Sequence, residues 1–171
     1  CALPIYRKSK SLAAGKLRGL GIASYMETST GAPRERTEIT VIPPTRDEAG
    51  VGRIDVVIGT LSSGQGHETS FAQLVTEWLG VEFSRVRLIQ GDTDIVQVGG
   101  GSHSGRSMRL AGIIIGDASD IIIEKGKRIA SHILEASETD IEFVDGVFSV
   151  VGTDRDIDIF SVAHAAETEG S

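Results

Sequence analysis

The sequence predicts an α+β domain, a mixed or antiparallel sheet packed with one long buried helix, and three observations carry that prediction. Residues 36–42 and 53–58 are short β-rich runs, the first of them alternating. Asp145-Gly146 lies between two further β-rich runs and is the preferred two-residue hairpin turn. Residues 108–136 contain neither proline nor a turn cluster, which suits a single long helix.

Composition bounds the rest. At 171 residues the chain is one domain by length, with 40% hydrophobic and 24% charged residues, both ordinary for a globular protein. Aromatic residues make up 5%, so Ile, Val, Leu and Ala must build the core. A net charge of −7 offers no basic field for nucleic acid or an anionic membrane, although a few local donors could still hold an anionic cofactor. The one cysteine, Cys1, excludes an intramolecular disulfide and makes the cytoplasm the default compartment. The apolar and basic residues after Cys1 do not read as the flexible tether of a lipid anchor. No apolar run approaches the ~20 residues of a membrane span, and no signal peptide is visible.

In chain order, residues 6–16 read as the end of a helix stopping near Gly15, and 17–26 as a glycine-containing strand. Gly19-Leu20-Gly21 lacks the third glycine of a dinucleotide fingerprint and falls inside that strand, so the fingerprint fails. A polar loop, 27–35, leads to the strand at 36–42, which Pro43-Pro44 ends. The strand at 53–58 pairs back on it as a hairpin partner. Gly59 to Thr69 is then a turn into a helix whose Phe71, Leu74, Val75, Trp78 and Leu79 share one stripe and which Gly80 stops. Another strand is expected at 85–90. Residues 99–107 form a second glycine-rich loop before the long helix. Its Ile113–Ile115 and Ile121–Ile123 runs could separately pass for strands, but an apolar-all-round pattern suits a buried helix. Gly112 and Gly116 would admit another backbone. The hairpin, an extended piece at 154–159 and a helix from Phe160 complete the order.

Chemistry concentrates in the two glycine loops. Gly64 and Gly66 around Gln65 permit close approach at the mouth of a helix, whose free N–H groups suit an anionic or amide-rich ligand. Any tight strand–helix connection can contain glycines, so this turn alone is weak. The second loop, with Ser102, Ser104 and Ser107, adds a lining of hydroxyl and N–H donors. Arg106 can hold a phosphate or carboxylate ligand, or pair with Asp92 or Asp94 and brace the loop. His67 and His103 have no partners at metal-ligand spacing. His132 and His164 fall on helices, facing solvent or packing quietly. A serine hydrolase using Ser62, Ser63, Ser102 or Ser104 lacks its elbow, since Gly101 to Gly105 has His103 at the centre. Gly126-Lys127 lacks the earlier glycine of a phosphate-binding Walker loop.

Ser63-Gly64-Gln65-Gly66-His67-Glu68-Thr69, then Gln90-Gly91-Asp92-Thr93, then 102–107 before a long helix, resemble the large subunit of the molybdenum hydroxylases. That family contains xanthine dehydrogenase, aldehyde oxidase and aerobic carbon monoxide dehydrogenase. The resemblance runs from about Leu17 onward. It implies a partial molybdopterin-binding domain over 1–171: a preceding helix end (1–16), a core (17–150) and the start of a following element (151–171). It implies cofactor contacts from Gly64, Gln65, Gly66, His67, Ser102, His103, Ser104, Gly105, Arg106 and Ser107, with no catalytic residue or metal ligand in this chain. The cofactor implied is molybdopterin in its cytosine dinucleotide form, with iron–sulfur and FAD centres on partner subunits. The implied reaction of an intact enzyme is oxidative hydroxylation of an aldehyde, a heteroaromatic ring or carbon monoxide. Here the loop order is Ser104-Gly105-Arg106-Ser107, where many relatives have Gly-Ser-Arg-Ser. The family's catalytic glutamate, in a Gly-x-Gly-Glu motif, has no counterpart, and Glu167 and Glu169 lack that context. The substrate-side arginine loop is missing too, so this chain alone is expected to be inactive. The alternative is a non-catalytic domain that binds a phosphate-bearing metabolite with the same donors.

Overall fold

The computed structural model describes residues 2–26 and 34–169. The order is α1 (Ala2–Ala13), β1 (Thr37–Ile42), β2 (Arg53–Ile58), α2 (His67–Leu79), β3 (Val86–Ile89), α3 (Ser107–Ile133), β4 (Ile141–Val144), β5 (Val147–Val150), β6 (Asp156–Asp158) and α4 (Ile159–Glu169). Two three-stranded sheets result, ordered β1-β2-β3 and β4-β5-β6. The first is mixed. β1 runs antiparallel to β2 with Ile39 opposite Val56, and β3 runs parallel to β2 after the α2 crossover. The second is antiparallel throughout.

Strand alternation decides which face is buried. Ile54, Val56 and Ile58 of β2 are fully buried, and they meet Phe71, Val75 and Leu79 from the apolar stripe of α2. Asp55, on the opposite face of β2, is bridged by Arg53 and Arg87. α2 ends at Gly80, whose left-handed backbone (φ 60°) lets its N–H reach the Thr76 carbonyl at 2.9 Å. Asp145 and Gly146 take φ of 48° and 80° and make the tight β4–β5 turn.

The long helix exists but is amphipathic, not buried all round. Ala111, Ile115, Ser119, Gly126 and Ala130 form its inner line, whereas Ile113 and Ile121 are 57% and 55% exposed. Gly112 and Gly116 admit side chains rather than a backbone, those of Leu74 and Trp78 on α2. The close approach is at Gly126, where an added Cβ would collide with the tip of the Phe148 ring. The largest departure is at 17–26, which forms no strand and whose apolar side chains lie in solvent. A strand reads from local pattern, but it forms only with a paired neighbour, and local pattern does not supply one. Residues 27–33 of the expected polar loop lie outside the described residues.

A backbone crossing and an ion pair set the positions of the glycine loops. Gly59 ends β2 and lies against Gly99, so closely that a Cβ on either would run into the other's Cα. Beside them Glu35 and Arg106 form an ion pair at 2.9 Å, with side chains 2% and 0% exposed. The Glu35 carboxylate also accepts from the Thr60 hydroxyl (2.7 Å) and the Gly100 N–H (3.3 Å). Arg106 donates further to the carbonyls of Gly101 (2.5 Å) and Arg34 (3.0 Å). Three distant segments are thereby stapled together. Arg106 does brace the loop, but through Glu35 and not through Asp92 or Asp94.

Substitution tests these contacts. Glu35→Gln removes the carboxylate paired with the buried Arg106 guanidinium and should cost about 3–5 kcal/mol in urea unfolding, and adding Arg106→Met should restore part of it. Gly126→Ala should cost about 1–3 kcal/mol because the methyl overpacks against Phe148. Asp158 caps α4. Burial pushes its carboxyl up, but hydrogen bonds from the Ser161 hydroxyl and N–H and the Phe160 N–H, with Arg85 nearby, outweigh that and hold it below the usual range. The folded state thus favours the ionised form. Its stabilisation is present above about pH 3.9 and is lost as pH falls through the lowered folded value. Asp158→Ala should cost about 0.5–2 kcal/mol at neutral pH, and that difference should shrink in acid.

Candidate functional site

Gly64 and Gly66 have φ of 104° and 75°, with open space where a Cβ would be. They are required for backbone direction rather than for room. Gln65 between them folds back so that its side-chain oxygen accepts the Ser63 N–H at 2.5 Å. That bond determines the amide's orientation and leaves its NH2 as the outward group. The turn is held from two sides. Gln90 accepts from the Ser62 N–H (3.2 Å) while its amide donates to Glu68 (2.6 Å), and the Ser102 hydroxyl donates to the Leu61 carbonyl.

His67 opens α2, is 4% exposed and stacks on Phe71 with ring centroids 4.6 Å apart. Its Nδ1 lies 3.4 Å from the Ser102 hydroxyl. In the second loop the Gly100 carbonyl, 3.0 Å from His103 Nε2, requires a proton on that nitrogen. Nδ1 of a neutral ring then accepts from the Ser104 hydroxyl at 2.9 Å. Ser104 and Gly105 both have positive φ (53° and 66°), which coils the backbone just before α3.

The two loops face each other across one cleft. It measures about 510 Å³ and is lined by Gln65, His67, Ser102, His103, Ser104 and Ser107, with Gly105, Ser70 and Met108 completing the wall. Of the ten residues expected at the site, seven line this cleft. Gly64 and Gly66 shape the turn behind it, and the Arg106 guanidinium points away to Glu35. α3 begins at Ser107 with no side-chain cap from Arg106, and Ser107 and Met108 of its first turn line the cleft. Neither Asp nor Glu is among the described residues that line it. Hydroxyls, an amide NH2 and the N–H groups of a helix N-terminus are what a phosphate or a pterin edge accepts from, so the residues present fit a molybdopterin. No group of three His, Cys, Asp or Glu able to hold a metal ion is found among the described residues. No helix there is long and apolar enough to cross a membrane.

Sequence reasoning did not find Glu35, Ser70 or Met108, and it took Gly59 only as the start of the turn and Gln90 only as part of a motif, without their roles in bracing the loops. Glu35 looks like one more polar loop residue, and nothing local marks it as buried. Gly59 did carry a signal, as a glycine at a strand end, where a close backbone approach is a standard reason for one.

Comparison with known proteins identifies the family. A family model described as a molybdopterin cofactor-binding domain matches residues 5–171. The 6-hydroxypseudooxynicotine dehydrogenase complex subunit gamma of Paenarthrobacter nicotinovorans is 40% identical over 116 residues, 68% of this chain and 15% of that protein. The carbon monoxide dehydrogenase large chain of Hydrogenophaga pseudoflava is 30% identical over 151 residues, 81% of this chain and 18% of that one. Among solved structures, reconstituted CO dehydrogenase from Oligotropha carboxidovorans superposes with a TM-score of 0.69 at 33% identity, over 77% of this chain and 16% of that chain. The sequence thus spans less than a fifth of either of these two relatives. Cleft and comparisons converge: the chain belongs to the molybdopterin cofactor-binding domain family of the molybdenum hydroxylases.

Proposed function

We propose that the cleft between the two glycine loops holds a molybdopterin, and that this chain is the cofactor-holding part of a molybdenum-dependent hydroxylase. The observation that carries the proposal is the meeting of Gln65 with Ser102, Ser104 and Ser107 on one wall that holds no carboxylate among the described residues, from segments far apart in sequence. Gln65 offers its NH2, and the serine hydroxyls with the N-terminus of α3 offer donors to the acceptor-rich pterin and its phosphate. His67 and His103 brace the turns. Arg106 acts through Glu35, holding the loops at a set separation rather than touching the ligand with its guanidinium.

The cytosine dinucleotide form of the cofactor is the one we assign, in line with the Gly64-Gln65-Gly66-His67 turn. A bound molybdenum cofactor supplies the two-electron redox chemistry for hydroxylating an aldehyde, a heteroaromatic ring or carbon monoxide. Iron–sulfur and flavin subunits would carry the electrons away, and the remainder of the large subunit would supply the substrate pocket and the general base. The dehydrogenase-complex subunit and the carbon monoxide dehydrogenase among the relatives support this reading. A cytoplasmic location suits a chain with one cysteine.

Ser107→Asp separates binding from folding, because a carboxylate favours a helix N-terminus but repels an anion there. In the intact protein it should lower molybdenum content at least ~10-fold, about 1.4 kcal/mol, with the melting temperature of the metal-free form unchanged. Full molybdenum content would overturn the assignment. Purified 1–171 should show no hydroxylase turnover, and enzyme-like rates would contradict the division of labour proposed here.

A further inference from the structure

A carboxylate stands next to the cleft without entering it. Glu68 directly follows His67, which lines the cleft, and comes three residues after Gln65. It belongs to the first turn of α2 and is exposed, yet it is not among the described residues that line the cleft. A carboxylate in the first turn of a helix is drawn to the N-terminal N–H groups, and α2 starts directly after the Gly64-Gln65-Gly66 turn. An unheld Glu68 would therefore act as a built-in anion beside the place proposed for the anionic groups of the cofactor.

Gln90 holds it. β3 runs parallel to β2 with Ile89 opposite Val57, so the sheet places the next residue, Gln90. Its amide donates to Glu68 Oε1 at 2.6 Å while its oxygen accepts the Ser62 N–H at 3.2 Å. The two bonds use opposite ends of the amide, so its orientation is fixed. Lys and Arg lack the acceptor for the first partner, and an ionised Glu lacks the donor for the second, so none of them could make both bonds. Other carboxylates near the glycine loops are held differently. Glu35 pairs with the Arg106 guanidinium, and Asp92 accepts the Asp94 N–H at 2.9 Å. The Gln90 amide is neutral, so it does not cancel the Glu68 charge and controls only where that charge points.

We propose that Gln90 is a positioning residue for cofactor binding that acts through Glu68. It anchors the carboxylate at the end of β3 and so keeps it from competing with the cofactor for the donors of the cleft. This role rests on the cleft holding an anionic molybdopterin. It also goes beyond bracing the turn, because bracing needs only the bond to Ser62, whereas exclusion of the carboxylate needs the bond to Glu68.

Molybdenum content of the intact protein, read together with the melting temperature of its metal-free form, separates the two tasks. Gln90→Leu frees Glu68 and should lower molybdenum content at least ~10-fold, about 1.4 kcal/mol. Adding Glu68→Gln removes the charge without restoring any bond to the turn. Molybdenum should then return to the wild-type level while the melting temperature stays at that of Gln90→Leu. Gln90→Glu carries the test if Gln90→Leu does not fold. It keeps an acceptor for the Ser62 N–H but repels Glu68, so it should lose molybdenum too, and Glu68→Gln should again restore it. Undiminished molybdenum in the Gln90 variants, or a loss that Glu68→Gln does not reverse, would overturn the role. So would a melting temperature that recovers in step with the molybdenum, since that would mark a purely structural brace. Ser107→Asp, measured alongside, keeps the cofactor assignment distinct. Molybdenum lost there but retained in the Gln90 variants overturns only the role of Gln90, and molybdenum retained in Ser107→Asp overturns the assignment on which that role rests.

Discussion

The buried pair of Glu35 and Arg106 is the interaction on which the site depends. Two charges with side chains at most 2% exposed are tolerable only because nearly every remaining bonding position is filled: Thr60, Gly100, Gly101 and Arg34 all take part. Each of those residues lies in a segment that must be placed for the cleft to exist. The hydrophobic core sets where β2 and α2 lie. It does not set how the chain turns between them, because exposed glycine-rich loops bury too little apolar surface to choose one shape. The ion pair and the Gly59–Gly99 crossing supply that choice.

On the proposed reading, an acidic protein holds an acidic cofactor through local contacts. With a net charge of −7 the long-range field is unfavourable, so attraction must be local. The cleft would meet the requirement with a lining that holds no carboxylate among the described residues and with neutral donors and a helix N-terminus. The Arg106 guanidinium is already paired with Glu35. Binding there would rest on directional hydrogen bonds, which recognise shape better than a bare positive patch would.

Elements with a strong local signature were legible in the sequence. The α2 stripe, the Gly80 stop, the Asp145-Gly146 turn and the alternation of β1 each follow from spacing and turn chemistry within a few residues. The two loops were legible because runs of glycine and serine are poor structural material and good donor surfaces. What could not be read depends on distant partners. Glu35 gives no local hint that it meets Arg106, which is 71 positions away. The inward turn of that arginine is invisible for the same reason. Residues 17–26 carry the local pattern of a strand, yet a strand is a property of two segments, and the structure leaves this one unpaired. For α3 the abundance of isoleucine hid the amphipathic division that burial reveals at Ile115 against Ile113.

The most direct measurement is the position of the cofactor in a crystal of the intact molybdenum-loaded protein. The account predicts pterin density lying between the two turns, within hydrogen-bond distance of both Gln65 and at least one of Ser102, Ser104 and Ser107. Density contacting neither turn, or seated elsewhere with this cleft filled by solvent, would contradict it.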